Sequence, residues 1–449
     1  MNQHPTGARK YMSLSPQTRH IRIRVAEHAK KGRKQWDLYR YLTDPYLLAD
    51  ALELVIKNRG SAGLDQVTVV SVKGKEWDFV KDLSERLRVR TYQPGPVKRT
   101  YIPKSNGEQR PLGIPNLEDR VVQRVLVLLL EVVYEQRFHD CSYGFRPHRK
   151  AVDCVAKVAQ QVYRHRHILE ADIEKFFDQV SHNKLLKMLT REICDPRILR
   201  LISQMLKSGF QEPGKPWQPS GKGTPQGGPL SPLLANVYLH HVLDERFMEV
   251  YGQSSRVKLF RYADDFVITA KTQAELKTAR RFLYIWMREG ELSLKESKTR
   301  EVDMTNERRS HQSKFDFLGF KIHLRAFTDN PERFWIARQP SEKARRSLKA
   351  SLKEKLHVHL TMNEARDVVQ SVWRGWCNYF RYSNGNSIIY RELHSVRRQI
   401  YQYLKRKYRR GGRPVPWRKL TKVAKTIWRP IKPIGVIPNH LDHKQGSLL

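Results

Sequence analysis

The stretch VKLFRYADDFVITA, residues 257–270, sets two adjacent carboxylates, Asp264 and Asp265, between two apolar runs of strand character. A strand, an acidic turn and a second strand make a hairpin, and this one concentrates negative charge at its tip. Asp is an ordinary turn residue, so the pair alone says only that the chain reverses there. A third acid adds weight: RHILEADIEKFFDQVSHNKLLKMLT reads as a short strand through Ile168 and Leu169 and then the start of a helix, so Asp172 lies where a strand ends. With these strands as neighbours, three carboxylates converge at one sheet edge, where like charges repel unless cations neutralise them. Hard divalent ions with oxygen ligands are the natural solution, and Mg²⁺ prefers carboxylate oxygen. Two such ions, about 3.5–4 Å apart, clamp the attacking and leaving oxygens of a phosphoryl transfer.

The chain around these acids is strongly positive. Lys and Arg number 84 against 45 Asp and Glu, a net charge of +39, which points to a polyanionic partner. The longest clean apolar run, VLVLLL at 125–130, is too short to span a bilayer, and MNQHPTGARK lacks the apolar core of a secretion signal. A soluble, nucleic-acid-bound protein without a membrane is expected. Cys141, Cys154, Cys194 and Cys377 form no CxxC pair, so neither a zinc site nor a disulfide framework is suggested.

Residues 92–116 read as a β-hairpin in which KRTYIPK and QRPLGIP flank Ser105, Asn106 and Gly107, with prolines that suit a sheet edge. An apolar helix is expected at about 119–137. The basic segment RHIRIRVAEHAKKGRKQW, within residues 1–50, reads either as a solvated helix face or as an RNA-contacting arm. After residue 340 the pattern predicts three amphipathic helices, with Ser341 as an N-cap, a Thr361/Glu364 capping box, and a stop at Gly411-Gly412. Residues 391–425 hold 13 Lys or Arg against one acid, Glu392, more than one solvated face carries.

YIPKSNGEQRPLGIP, CSYGFRPHRKA, EADIEKFFDQVSH, GTPQGGPLSPLLANVYL and RYADDFVIT occur in an order that resembles the fingers and palm of reverse transcriptases, specifically those encoded by group II introns and also called maturases. The resemblance runs from about Asn58 to Tyr408. It implies an α+β right-hand polymerase, fingers and palm built on antiparallel sheet, followed by an α-helical thumb or maturase domain. The expected divisions are a basic extension at 1–50, fingers at 51–160, palm at 161–325, thumb at 326–412 and a basic appendix at 413–449. Many relatives carry a zinc-bearing HNH endonuclease; with no cysteine after Cys377, the compact type lacking it is expected.

The resemblance also assigns roles. Asp172, Asp264 and Asp265 are implied as catalytic metal ligands for two Mg²⁺. Lys104 and Arg110 would grip the incoming triphosphate, Lys298 would stand near it, and Gln226 would line the nucleotide pocket. Phe177 occupies the position of a ring beneath the incoming sugar, where a 2′-hydroxyl would collide, so dNTPs are the implied substrates. FDFLGF, with Phe317, Leu318 and Gly319, is similar to the hairpin that holds the primer end. For RNA binding the implied residues are Arg374, Lys405, Arg406, Lys407, Arg409 and Arg410, whereas helical spacing assigns Trp376 and Phe380 to packing. The implied partners are a structured intron RNA, an RNA template with a DNA primer and a DNA target, in a bacterial cytoplasm or on the nucleoid. A related enzyme detached from any intron, serving defence, CRISPR spacer acquisition or DNA repair, is the alternative.

Overall fold

The computed structural model describes residues 14–103, 108–305, 313–326, 330, 334–384, 386–408 and 417–428. Its N-terminal half is built on a helix that is apolar without interruption from Val125 to Leu130 and that buries even its polar Asp119, Arg120, Gln123, Arg124 and Glu131. Helix Leu117–Tyr134 is therefore buried on almost every side, and other helices must cover it. One of them is Pro16–Lys30, capped by Ser15, with Ile21, Val25 and Ala29 in the shared core and Arg22 paired to Glu131 at 3.0 Å. The basic N-terminal segment is thus neither a free arm nor a wholly solvated face: its charges ride on a packed helix. Pro45–Lys57, capped by Asp44, packs in the same core.

Strands β1 (Val97–Pro103) and β2 (Gln109–Ile114) pair antiparallel as expected of residues 92–116, with β2 at the edge, and β4 (Phe210–Gln211) runs parallel beside β1. Lys104 and the turn residues Ser105, Asn106 and Gly107 lie outside the described residues.

The central sheet has the order β5-β6-β3-β7, formed by Val257–Tyr262, Asp265–Ala270, His167–Asp172 and Arg300–Asp303, all pairings antiparallel. Its two faces enter two different cores. Leu169, Ala171, Val257, Leu259, Phe266 and Ile268 face the helical core, while Ile168, Val267 and Val302 face a second core shared with helix Ala151–Val162 and the next sheet. Period-two alternation sorts each strand's residues between the two cores.

That next sheet has the order β10-β9-β8, from Phe334–Pro340, Phe320–Ala326 and Lys314–Phe317. β10 extends it past residue 325, so sheet continues beyond the expected end of the palm segment. The C-terminal helices follow the expected caps. Ser341 caps Glu342–Lys355, and Thr361 with Glu364 forms the capping box of Met362–Phe380. Asn386–Lys407 ends before the expected glycine stop, which lies outside the described residues. Residues 417–428 form a further helix whose Ala424 and Ile427 are buried in the bundle core, so part of the expected appendix belongs to the bundle. Trp376 and Phe380 pack in the interior as their spacing indicated. No helix among the described residues is long and apolar enough to cross a membrane.

Candidate active site

The register of the central sheet brings the acids together. Asp172, the last residue of β3, pairs directly with Asp265, the first residue of β6, and Asp264 sits in the turn between β5 and β6. That turn is set by Ala263, whose φ of 56° is rare for a residue with a Cβ and so needs support from its surroundings.

Arg261 supplies the support. Fully buried beneath the turn, its guanidinium donates to the Ala263 carbonyl at 3.1 Å, to Asn236 Oδ1 at 3.0 Å, to Ser142 Oγ at 2.7 Å and to both oxygens of the equally buried Asp244. Asn236 in turn donates to the Gly144 carbonyl at 2.6 Å. A Cβ on Gly144 would stand 2.4 Å from the Ala263 backbone nitrogen, so only glycine lets this loop back the turn.

Three like charges at this edge leave a measurable imbalance. Burial, then the Asp172 charge, raises the Asp264 carboxyl, with Arg110 and Lys298 opposing. Asp265 reaches solvent at its edge, yet the surrounding protein and the charges of Asp264 and Asp172 push it up to about 7. Burial works against the Lys298 charge, but its hydrogen bond and ion pair with Asp172 raise its pKa. Arg110, exposed on β2, acts on the same cluster from 154 positions away in sequence (264 − 110). An all-oxygen, over-negative donor set of this kind fits hard divalent cations.

The remaining expected nucleotide residues, Phe177 and Gln226, lie at the two ends of a short set of backbone contacts. Phe176 is in the core while its neighbour Phe177 is only partly covered, and the Phe177 carbonyl accepts from Thr224 N at 2.7 Å. Gly223, at φ 89°, lies so close that a Cβ would meet the Phe177 carbonyl at 2.8 Å. The partly exposed Gln226 accepts from Gly113 N of β2 at 2.6 Å, tying the GTPQG loop to the basic hairpin.

Other expectations are redistributed. Phe317 is buried in the core, leaving Leu318 and Gly319 to form the surface of the β8–β9 turn. Arg374, Lys405 and Arg406 are exposed, but Lys407 spends its ammonium on the Leu360 and Val358 carbonyls at 2.6 and 2.8 Å. Arg409 and Arg410 lie outside the described residues. Sequence reasoning missed Arg261, Asp244 and Asn236 altogether. The signal was present in β5, where Arg261 shares the strand face of Val257 and Leu259.

Among the described residues, the tightest gathering of metal-ligand types is His240, His241 and Glu245, whose ligand atoms all lie within 4.8 Å. Arg191 donates to the Glu245 carboxylate at 2.9 Å, and His241 Nδ1 lies 2.6 Å from the same carboxylate, so Glu245 is already engaged by two neighbours.

Comparison with known proteins finds two family models that match this chain. A model described as reverse transcriptase (RNA-dependent DNA polymerase) matches residues 102–322, and one described as the group II intron maturase-specific domain matches residues 343–423. Protein YkfC of Escherichia coli K12 is 33% identical over 344 residues, covering 69% of this chain and 88% of that protein. The group II intron-encoded protein LtrA of Lactococcus lactis is 37% identical over 208 residues, which is 46% of this chain but 34% of LtrA. A solved structure of Candida albicans telomerase with a fragment of telomeric RNA has a TM-score of 0.45 at 14% identity, covering 80% of this chain and 66% of that one.

Replacing one member of a buried ion pair strands its partner, at a cost of about 3–5 kcal/mol. Arg261→Met should lower unfolding stability by that amount in chemical denaturation, and adding Asp244→Leu to the same chain should recover much of the loss.

Proposed function

The chain belongs to the reverse transcriptases that carry a group II intron maturase-specific domain, and from that premise we propose how its residues divide the work. The enzyme is an RNA-directed DNA polymerase that binds RNA and uses a template and primer. Matches to both the polymerase and the maturase-specific segments favour an intron-linked role over a detached one.

The observation that carries the assignment of the centre is the direct pairing of Asp172 with Asp265 beside the Asp264 turn, with Arg110 and Lys298 acting on the same charges. Asp172, Asp264 and Asp265 would hold two Mg²⁺ ions. When bound, divalent ions neutralise these carboxylates and polarise the reacting phosphoryl oxygens. The protein's own share is to hold the acids rigidly on strand ends, which Arg261 secures, and to present cations to the triphosphate. Arg110, on β2, and Lys104, across the hairpin turn in the sequence, would grip the triphosphate, and Lys298, at the end of the short helical turn Glu296–Lys298 that leads into β7, would stand near it.

Phe177 lies beneath the nucleotide sugar and excludes a 2′-hydroxyl, and Gln226 lines the nucleotide pocket. The turn Leu318–Gly319 supports the primer end. Arg374, Lys405 and Arg406, exposed on successive helices of the chain, contact the phosphate backbone of a structured intron RNA, whose fold the protein stabilises for splicing before copying it at a DNA target.

Asp264→Asn should reduce primer extension about a thousandfold, the several kcal/mol that metal assistance supplies, while leaving the protein's support of RNA splicing intact. Normal extension by this variant removes Asp264 from the metal site. Phe177→Val should raise ribonucleotide incorporation relative to deoxynucleotide incorporation in single-nucleotide assays; an unchanged ratio returns Phe177 to packing alone. Replacing Arg374, Lys405 and Arg406 by Gln should flatten the dependence of log Kd on log salt by about one unit per lost phosphate contact. An unchanged slope means that the three face solvent.

A further inference from the structure

The β8–β9 turn is made by two residues of positive φ, Leu318 at 48° and Gly319 at 81°. Glycine adopts this region freely, but leucine does not, and its persistence requires that neighbours over-determine the turn. The residues that do so come from beyond residue 340. Tyr379 Oη, on helix Met362–Phe380, donates to the Leu318 carbonyl at 2.8 Å. Ser341 N donates to the Gly319 carbonyl at 2.9 Å. The Phe320 ring lies 5.6 Å from that of Tyr379 and 4.9 Å from that of Phe380.

The same helix end is fastened to the sheet once more. Asn384 Nδ2 donates to the Ile336 carbonyl at 2.7 Å, and its Oδ1 accepts from Arg338 N at 2.5 Å. Trp376 stacks on Trp373 at 5.7 Å, within the bundle core. A continuous set of contacts therefore runs from the bundle interior to a two-residue turn. Burial pushes the Tyr379 hydroxyl well above its ordinary range, so it remains a donor at any working pH.

We propose that Tyr379 is a positioning residue for the polymerase reaction: its hydroxyl holds the Leu318–Gly319 turn in its left-handed shape, so that the maturase-specific helix sets the primer terminus against the acids. This rests on the reading of that turn as the support of the primer end. Misplacing a reacting group by a fraction of an ångström slows chemistry without necessarily weakening binding. The hydroxyl therefore acts on rate, through the backbone it holds.

The test uses the full chain and three readouts: the single-turnover rate of nucleotide addition, the Kd for primer–template, and the Tm. Tyr379→Phe keeps the ring and removes one hydrogen bond, and should slow addition about tenfold with Kd unchanged and Tm lowered by no more than a few degrees. Gly319→Ala probes the turn itself, because its Cβ finds ordinary space 3.6 Å from Phe380 while the positive φ becomes strained. It should slow addition in the same way, and the double variant should be no slower than the worse single one.

If Gly319→Ala slows addition and Tyr379→Phe does not, the inference fails and the primer-turn reading stands. If neither does, that reading falls and takes the inference with it. A slow Tyr379→Phe beside a normal Gly319→Ala means that the hydroxyl acts somewhere other than the turn, which also overturns the proposal. A larger loss of Tm, or a loss of primer–template affinity, in Tyr379→Phe, in step with the rate, assigns Tyr379 a merely structural role.

Discussion

A single buried guanidinium organises the centre of this protein. Arg261 carries its charge in full seclusion from water, which is tolerable only because Asp244 neutralises it and the remaining donors are spent on Asn236, Ser142 and the Ala263 carbonyl. Those partners come from chain segments around residues 142, 236–244 and 263, so satisfying one side chain locks three segments in one arrangement. The acid turn inherits its geometry from that arrangement. Asp264 is placed where it is because its predecessor's carbonyl is held from below, and Gly144 leaves no room for any other backing.

Above the turn, the electrostatic logic reverses. Below it every charge is paired; at the surface, carboxylates face one another with Lys298 and Arg110 as partial balance. A chain with a net charge of +39 has no shortage of cations with which to cancel three acids. That the acids remain under-compensated is therefore a property of the local fold, and it suits a site that must accept further positive charge together with a polyanionic substrate. The basic hairpin reaches this site while staying joined to the palm through the Gly113–Gln226 hydrogen bond, so the residues proposed to hold sugar and phosphate share one scaffold.

Much of this was legible in the sequence, and the misses have physical causes. Asp172 and the Asp264–Asp265 pair announce themselves because alternation along each strand fixes where the strand ends. The Thr361/Glu364 box and the Ser341 cap were readable because capping is local chemistry. Arg261 was not read, because a charged residue in a strand suggests solvent until one notes that it shares a face with Val257 and Leu259. Helix 417–428 hid among basic residues and flanking prolines, although Leu420, Val423, Ala424 and Ile427 keep helical spacing. Lys407 looked like a phosphate ligand and is instead spent on two loop carbonyls, a long-range contact that no local pattern encodes. Phe317 sat inside a motif read as primer-facing, yet strand alternation turns it inward.

The hydrogen bond from Tyr379 to Leu318 also orders events during synthesis of the chain. Every acid of the centre, and both strands of the β8–β9 turn, precede residue 330, and Ser341, which holds the Gly319 carbonyl, follows closely, but Tyr379 arrives some fifty residues later. Contacts across such separations form late, after the local helices and hairpins. A nascent chain ending short of Tyr379 therefore carries all its acids and the Ser341 contact but lacks the Leu318 half of the brace, which waits for a helix inside the maturase-specific segment.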